Sequence, residues 1–257
     1  MTSESVSDDA MPIDDYLAEG GKLSAPENAP PRYRAELLRL MASFVDSEMA
    51  GASGFADMIN AAPGIEARIA AAKITAEKFA HARRILTVMG DFGANVARYA
   101  EHLPWAERLP RDADMGAKRH GGDMRLSVFH YPFAGWADAV VMNVLMGRAT
   151  VIQLTEAADG SYQPLADAFL EILPFEVRHA ELGEEGLKRI VQADGTAQAQ
   201  ASIGYWTPRV AATFGGVDSG RFEALKRFGL RRTPNAALLE QWHADVRARL
   251  APLGLNF

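Results

Sequence analysis

Residues Glu176-Val177-Arg178-His179 set a carboxylate and an imidazole three positions apart, a spacing that projects both from one face of an α-helix. Leu165, Phe169 and Ile172 continue the same stripe upstream in alternating four- and three-residue steps. Two polar groups therefore fall on a face that should be buried, where they need partners. A Glu-x-x-His pair on an inward stripe is half of the site that carboxylate-bridged di-metal bundles build from four helices. The motif arises often by chance, so its meaning depends on ligands from three other helices.

Three other amphipathic stretches interrupt their apolar stripe at mid-length. Leu37, Met41, Phe44, Glu48, Gly51, Phe55 and Met58 define a first helix from about Tyr33. Ile74, Lys78, His81, Ile85, Val88 and Phe92 define a second, from about Gly64 to Arg98. A third starts after Tyr131-Pro132 with Asp138, Val141, Leu145 and Ile152 on one face. The fourth runs from about Tyr162 to Gln192, and Pro174 inside it predicts a kink. A fifth helix is expected over Ala197–Phe214, and Thr233-Pro234 reads as the N-cap and first residue of a last one ending at Leu250. No stretch alternates as a strand does, so the chain reads as all-α.

In chain order the interruptions are Glu48, Lys78 with His81, Asp138, and Glu176 with His179. Carboxylate, Glu-x-x-His, carboxylate, Glu-x-x-His is the ligand order of the ferritin-like di-metal bundle. Five of its six positions carry a suitable ligand here. The connection around residues 100–130, with two prolines and three glycines between His102 and Met124, falls where that fold needs its crossover. Taken singly, each residue has a plainer use: Glu48 or Asp138 at a helix boundary, His81 as a hydrogen-bonded core histidine, Lys78 with its ammonium in water. Their joint placement favours the site. Met41, Phe44, Phe55, Met142 and Phe169 around them read as packing, and Arg83, Arg84 and Arg178 beside them as surface ion pairs.

Ser47-Glu48-Met49-Ala50-Gly51, Phe129-His130-Tyr131-Pro132, Trp136-Ala137-Asp138, Glu176-Val-Arg-His179 and Trp206-Thr-Pro with Phe214-Gly215 carry a resemblance to the phenylacetic acid catabolic proteins. The chain is most similar to the catalytic A subunit of the multicomponent phenylacetyl-CoA epoxidase, over about residues 32–257. The resemblance implies a ferritin-like four-helix bundle with a long crossover and extra C-terminal helices. It implies a di-iron oxygenase acting on an aromatic ring held as a coenzyme A thioester, beside a non-catalytic sister subunit and a reductase. The metal ligands would be Glu48, His81, Asp138, Glu176 and His179. Where the family has the second-helix glutamate, this sequence has Lys78. Glu77 is the substitute only if the helix bulges, because it sits about 100° off the stripe.

Glu48, Asp138 and Glu176 against Lys78 leave a formal −2. One divalent ion would neutralise this, as would protonation of both His81 and His179; buried net charge is costly. The expectations are one iron, an open site held by Lys78 salt bridges, or a di-metal site completed by Glu77. They correspond to two functions: an oxygenase component for phenylacetate-type thioesters, or a non-catalytic structural or ligand-binding member with a Lys–carboxylate network.

The rest of the chain sets bounds. A net charge of −6 and a pI near 5.6 argue against nucleic-acid binding, which needs a basic footprint. Cysteine is absent, which excludes thiolate ligands and disulfides. Residues 1–31, holding four of the thirteen prolines, read as a mobile or loosely docked acidic arm. No secretory signal is visible there. The run Ala137–Leu154 contains Asp138, Asn143 and Arg148 and suits a core helix better than a membrane span. A cytoplasmic protein is expected, as a homodimer or with a sister ferritin-like subunit. Lys118-Arg119-His120 would either meet a phosphate or lie in a solvated loop.

Overall fold

The computed structural model describes residues 12–101, 104–115, 122–216 and 220–257. Lys118, Arg119 and His120 lie outside them, as does the first part of the predicted arm. From Pro12 the chain is packed onto the bundle. A short helix, α1 (Ile13–Ala18), buries Leu17, and Leu23 follows it into the core. Leu23 exchanges backbone hydrogen bonds with Ser161 and Gln163, so the leucines and the backbone together hold this stretch. The only pairing of strand type among the described residues is an isolated bridge, Leu23 with Tyr162.

Two long hairpins make the bundle. The first joins α2 (Pro31–Met58) to α3 (Gly64–Asp91), and a connection of residues 59–63 forces them antiparallel. The second joins α5 (Trp136–Ala157) to α6 (Gln163–Asp194), with α4 (Val96–Ala100) in the preceding connection. α5 and α6 approach closely because small residues face each other. A Cβ on Gly147 would stand 3.1 Å from that of Ala180, and one on Gly183 would stand 2.8 Å from Asn143 Nδ2. α3 and α6 are antiparallel as well, since Glu77 pairs with His179 and Arg84 with Glu171.

These pairings make α5 run in the same direction as α3. The connection between them, residues 92–135, must therefore travel the length of the bundle, about 40 Å for the 28 residues of α3. This is the ferritin-like topology with its crossover. The second helix ends at Asp91 rather than near Arg98 because Gly93 adopts φ +85°, a conformation that breaks a helix. α2 staples the crossover along its course. Asp46 accepts from the Tyr99 hydroxyl and from Met124 N, both at 2.7 Å, and Ser47 Oγ accepts from Leu126 N at 3.0 Å.

α5 is buried on nearly every side, because α7 (Ala197–Ala211) and α9 (Asn235–Leu250) cover the faces left by α6 and α2. It is the one helix among the described residues long and apolar enough to cross a membrane, yet 83% of that window is buried inside the protein. Helix α8 (Gly220–Arg227) closes one end of the bundle. Helix α6 continues through Pro174. The last helix begins at Asn235 without a Thr233 cap, because the Thr233 amide and hydroxyl both turn to Glu156, at 2.7 and 2.8 Å.

Candidate metal centre and its neighbouring cavity

Two apolar clusters fill the interior, one around α5, α7 and α9 and one around α1, α2, α3, α6 and α8. A polar group formed by α2, α3 and α6 holds Glu48, Lys78, His81, Glu176 and His179, all buried. Each helix presents its polar residue on the inward stripe, so the sequence periodicity alone aims these side chains at one another. Gly51, one turn from Glu48, leaves room for the lysine stem: a Cβ there would lie 3.5 Å from Lys78 Cδ and 3.2 Å from the Phe129 ring.

Lys78 Nζ sits at the centre. It donates to Glu48 Oε1 at 2.8 Å and to Glu176 Oε1 and Oε2 at 3.1 and 3.2 Å. His81 Nδ1 bridges the same carboxylates, 3.1 Å from Glu48 Oε2 and 3.0 Å from Glu176 Oε1. Its ring stacks on His179, with centroids 5.8 Å apart. His179 turns Nε2 to Glu77 Oε2 at 2.7 Å, which leaves Nδ1 3.4 Å from Glu176 Oε1 without a hydrogen-bond partner.

The protonation states follow from these contacts. Burial pushes the Lys78 amine down, but Glu176 and then Glu48 outweigh it and hold the amine above its ordinary value. Burial likewise opposes charge on His81, and the hydrogen bonds to Glu176 and Glu48 overcome it, raising the ring to about 9. Burial would raise Glu176, yet Lys78 and the two histidines keep it well below the usual carboxylate range. At neutral pH Lys78 and His81 are thus cationic and Glu176 anionic, so the centre carries its own counter-charges.

Asp138 does not join this group. Its oxygens are held by both Arg111 terminal nitrogens, at 2.7 and 2.9 Å, and by Ala134 N at 2.9 Å. Against the burial that would raise it, these hydrogen bonds keep its carboxyl below the ordinary value. Gly147 is the α5 residue level with Ala180, and Asp138 lies nine residues earlier in the chain, roughly 13 Å away along the helix axis. Between Asp138 and Glu156, α5 carries no carboxylate. Glu77 takes no central place either: α3 is regular at that point, and Glu77 reaches His179 from outside with its side chain 20% exposed. Arg84 and Arg178 pair with surface glutamates, Glu171 and Glu181 with Glu185.

Glu48, His81 and Glu176 each offer a donor atom, all within 4.8 Å of one another, so this trio is the right chemistry for one cation. A di-iron centre does not fit the residues present. Lys78 engages three of the four oxygens of Glu48 and Glu176, and α5 supplies no carboxylate opposite them.

Glu48 also lines a cavity of about 760 Å³ that runs from Ser43, Ser47 and Phe129 to Arg221, Arg231 and Asn235 near the C-terminal helices. Neither Arg221 nor Arg231 was signalled by the sequence, because residues 215–232 carry no sustained stripe.

A ferritin-like bundle with a buried Glu/His cluster and an adjoining ligand-sized cavity is the class these features define. The sequence profile of the phenylacetic acid catabolic proteins matches residues 9–257, so the chain belongs to that family. No curated protein matches it.

Proposed function

We propose that this chain is a non-catalytic, ligand-binding member of the phenylacetic acid catabolic family, its metal cluster replaced by the Lys78 salt-bridge network. The observation that carries the reading is Lys78 Nζ bonded to Glu48 and Glu176 at 2.8–3.2 Å. An ammonium there supplies the charge that metal ions supply in di-iron bundles. It cannot coordinate dioxygen or change oxidation state. What the residues do is hold three helices together and present Glu48 as one wall of the cavity.

Metal analysis of protein purified from iron-supplemented medium tests this. Iron well below one per chain is expected, and iron near two per chain would overturn the reading. Lys78→Glu restores the family ligand type and should raise bound metal above the wild-type level.

A second reading is an epoxidase A-subunit-like oxygenase component with an altered centre, acting on an aromatic coenzyme A thioester. The convergence of Glu48, His81 and Glu176 favours it. It requires Lys78 to withdraw and one iron per chain, together with oxygen consumption dependent on a thioester. In either reading we place the protein in the cytoplasm beside a second ferritin-like subunit, a sister chain or another copy. The exposed α3 residues Ile65, Ile69 and Phe79 support such a contact.

A further inference from the structure

The far end of the cavity is lined by Arg221 of α8 and by Arg231, which precedes α9. Of the carboxylates near them, Glu36 pairs with Arg221 itself and Glu156 is taken up by other donors. Glu36 accepts from Arg221 Nε at 2.8 Å, and Arg39 lies 3.8 Å from its other oxygen. Glu156 accepts from Arg232 N, Thr233 N and Thr233 Oγ1 at 2.5, 2.7 and 2.8 Å. Arg231 donates to Asn235 Oδ1 at 3.0 Å, which fixes the plane of its guanidinium. Arg221 Nη2 and Arg231 Nε remain, both shielded from solvent and without an acceptor among the described residues.

Two buried donors on two cations in one cavity are not a packing solution. A buried donor without an acceptor is destabilising, more so when it is charged. Burial depresses Arg231, the nearby charge of Glu156 partly opposes this, and the charge of Arg221 adds to the depression. An oxyanion between them would relieve both penalties. Guanidinium forks match carboxylate and phosphate oxygens geometrically.

The rest of the cavity decides what the anion is attached to. Phe44, Leu154, Leu165 and Phe169 line the stretch between the arginines and Glu48, and a volume of about 760 Å³ suits a small organic ligand. Glu48 at the other end is a carboxylate already held by Lys78 and His81, and it offers an anionic head no donor. Arg125 lies closer to that end and pairs with Asp123 at 2.8 Å, as Arg221 does with Glu36. It likewise has a shielded Nη1 without an acceptor among the described residues, but it stands there as a single guanidinium, whereas two line the far end. The pair of guanidiniums therefore orients the ligand: anionic head at Arg221 and Arg231, uncharged end at Glu48.

We propose that the cavity binds an amphipathic anion, a single carboxylate or phosphate head held by Arg221 and Arg231 with an apolar body along the Phe44–Phe169 wall. This rests on the ligand-binding reading above and names the ligand class.

Calorimetric titration of the metal-analysed protein with decanoate, decyl phosphate and coenzyme A tests it. Saturable one-to-one binding of a decyl compound is expected. Decanoate alone would mark a carboxylate head, and decyl phosphate alone a phosphate head. Arg221→Gln and Arg231→Gln should each weaken that binding by about tenfold or more, the loss of one charge-assisted hydrogen bond. Arg221→Lys should recover part of it, and the surface variant Arg83→Gln should bind as wild type. Failure of both decyl compounds to bind, binding indifferent to both Gln variants, or saturation by coenzyme A alone would overturn the proposal. Iron at two per chain in the same preparation overturns the non-catalytic reading. An iron-free preparation that ignores both decyl compounds overturns only the arginine site.

Discussion

Replacing Lys78 by methionine keeps the stem that packs against Gly51 and removes the ammonium. Three hydrogen bonds of 2.8, 3.1 and 3.2 Å are lost. Glu48 and Glu176, 4% and 1% exposed, then face each other with His81 as their one close counter-charge. Breaking a buried ion pair from one side costs about 3–5 kcal/mol, because the stranded charge stays desolvated. In a domain of this size each kcal/mol lowers the melting temperature by about 2–4 °C, so a drop of roughly 6–20 °C is expected. The assay is thermal and urea unfolding of wild type and Lys78→Met at pH 7 with a chelator present. Adding Glu176→Gln to Lys78→Met removes one stranded charge and should recover part of the loss. Divalent manganese or zinc should stabilise Lys78→Met, through Glu48, His81 and Glu176, more than it stabilises wild type. A Lys78→Met protein as stable as wild type in chelator would refute the claim that the ammonium holds the centre together.

The pH dependence has a definite sign. His81 is raised to about 9 from an ordinary 6.5, so the folded state holds its proton more tightly than the unfolded chain. That contribution is complete below about pH 6.5 and is lost as pH rises through 9, on the order of 3 kcal/mol in total. Urea unfolding across this range should show the decline, and His81→Gln should flatten it. Glu176 is depressed, so its contribution is present above the ordinary carboxylate range and disappears as pH falls through its lowered folded value. Gly183→Ala places a methyl 2.8 Å from Asn143 Nδ2 and 3.2 Å from the Val144 amide nitrogen; overpacking of this kind costs about 1–3 kcal/mol, visible as a lower urea midpoint. Asp138→Asn should destabilise by about 1–3 kcal/mol through the weakened Arg111 pair while leaving bound metal, measured by elemental analysis, at the wild-type level.

The four long helices and their inward faces were legible because four-three spacing is a direct record of which side of a helix meets apolar neighbours. The same periodicity aims Glu48, Lys78, His81, Glu176 and His179 at one another. It carries no information about depth along the axis, and this is why Asp138 was placed with them. Asp138 lies at the first turn of α5 and, nine residues from Gly147, on the side of the helix turned away from α6, where it accepts from Ala134 N and pairs with Arg111. A carboxylate three residues after Gly135 is itself a helix-start signal. Thr233 shows a similar limit: its capping preference is local, and Glu156, 77 residues away in the chain, outcompeted it. The arginine end of the cavity was invisible because Arg221 and Arg231 meet through the docking of α8 against the bundle, not through any repeat.

The polar layer between the two apolar clusters also has a mechanical meaning. Hydrocarbon packing is tolerant of sliding, since one leucine fits a neighbouring leucine's place with modest loss. An ammonium is not. Moving α3 by a single turn, about 5.4 Å, would carry Lys78 Nζ away from Glu48 and Glu176 and set it among the neighbours of Ile74 or Ala82. Lys78 therefore acts as a key that fixes the axial alignment of α2, α3 and α6, and with it the position at which Glu48 faces the cavity.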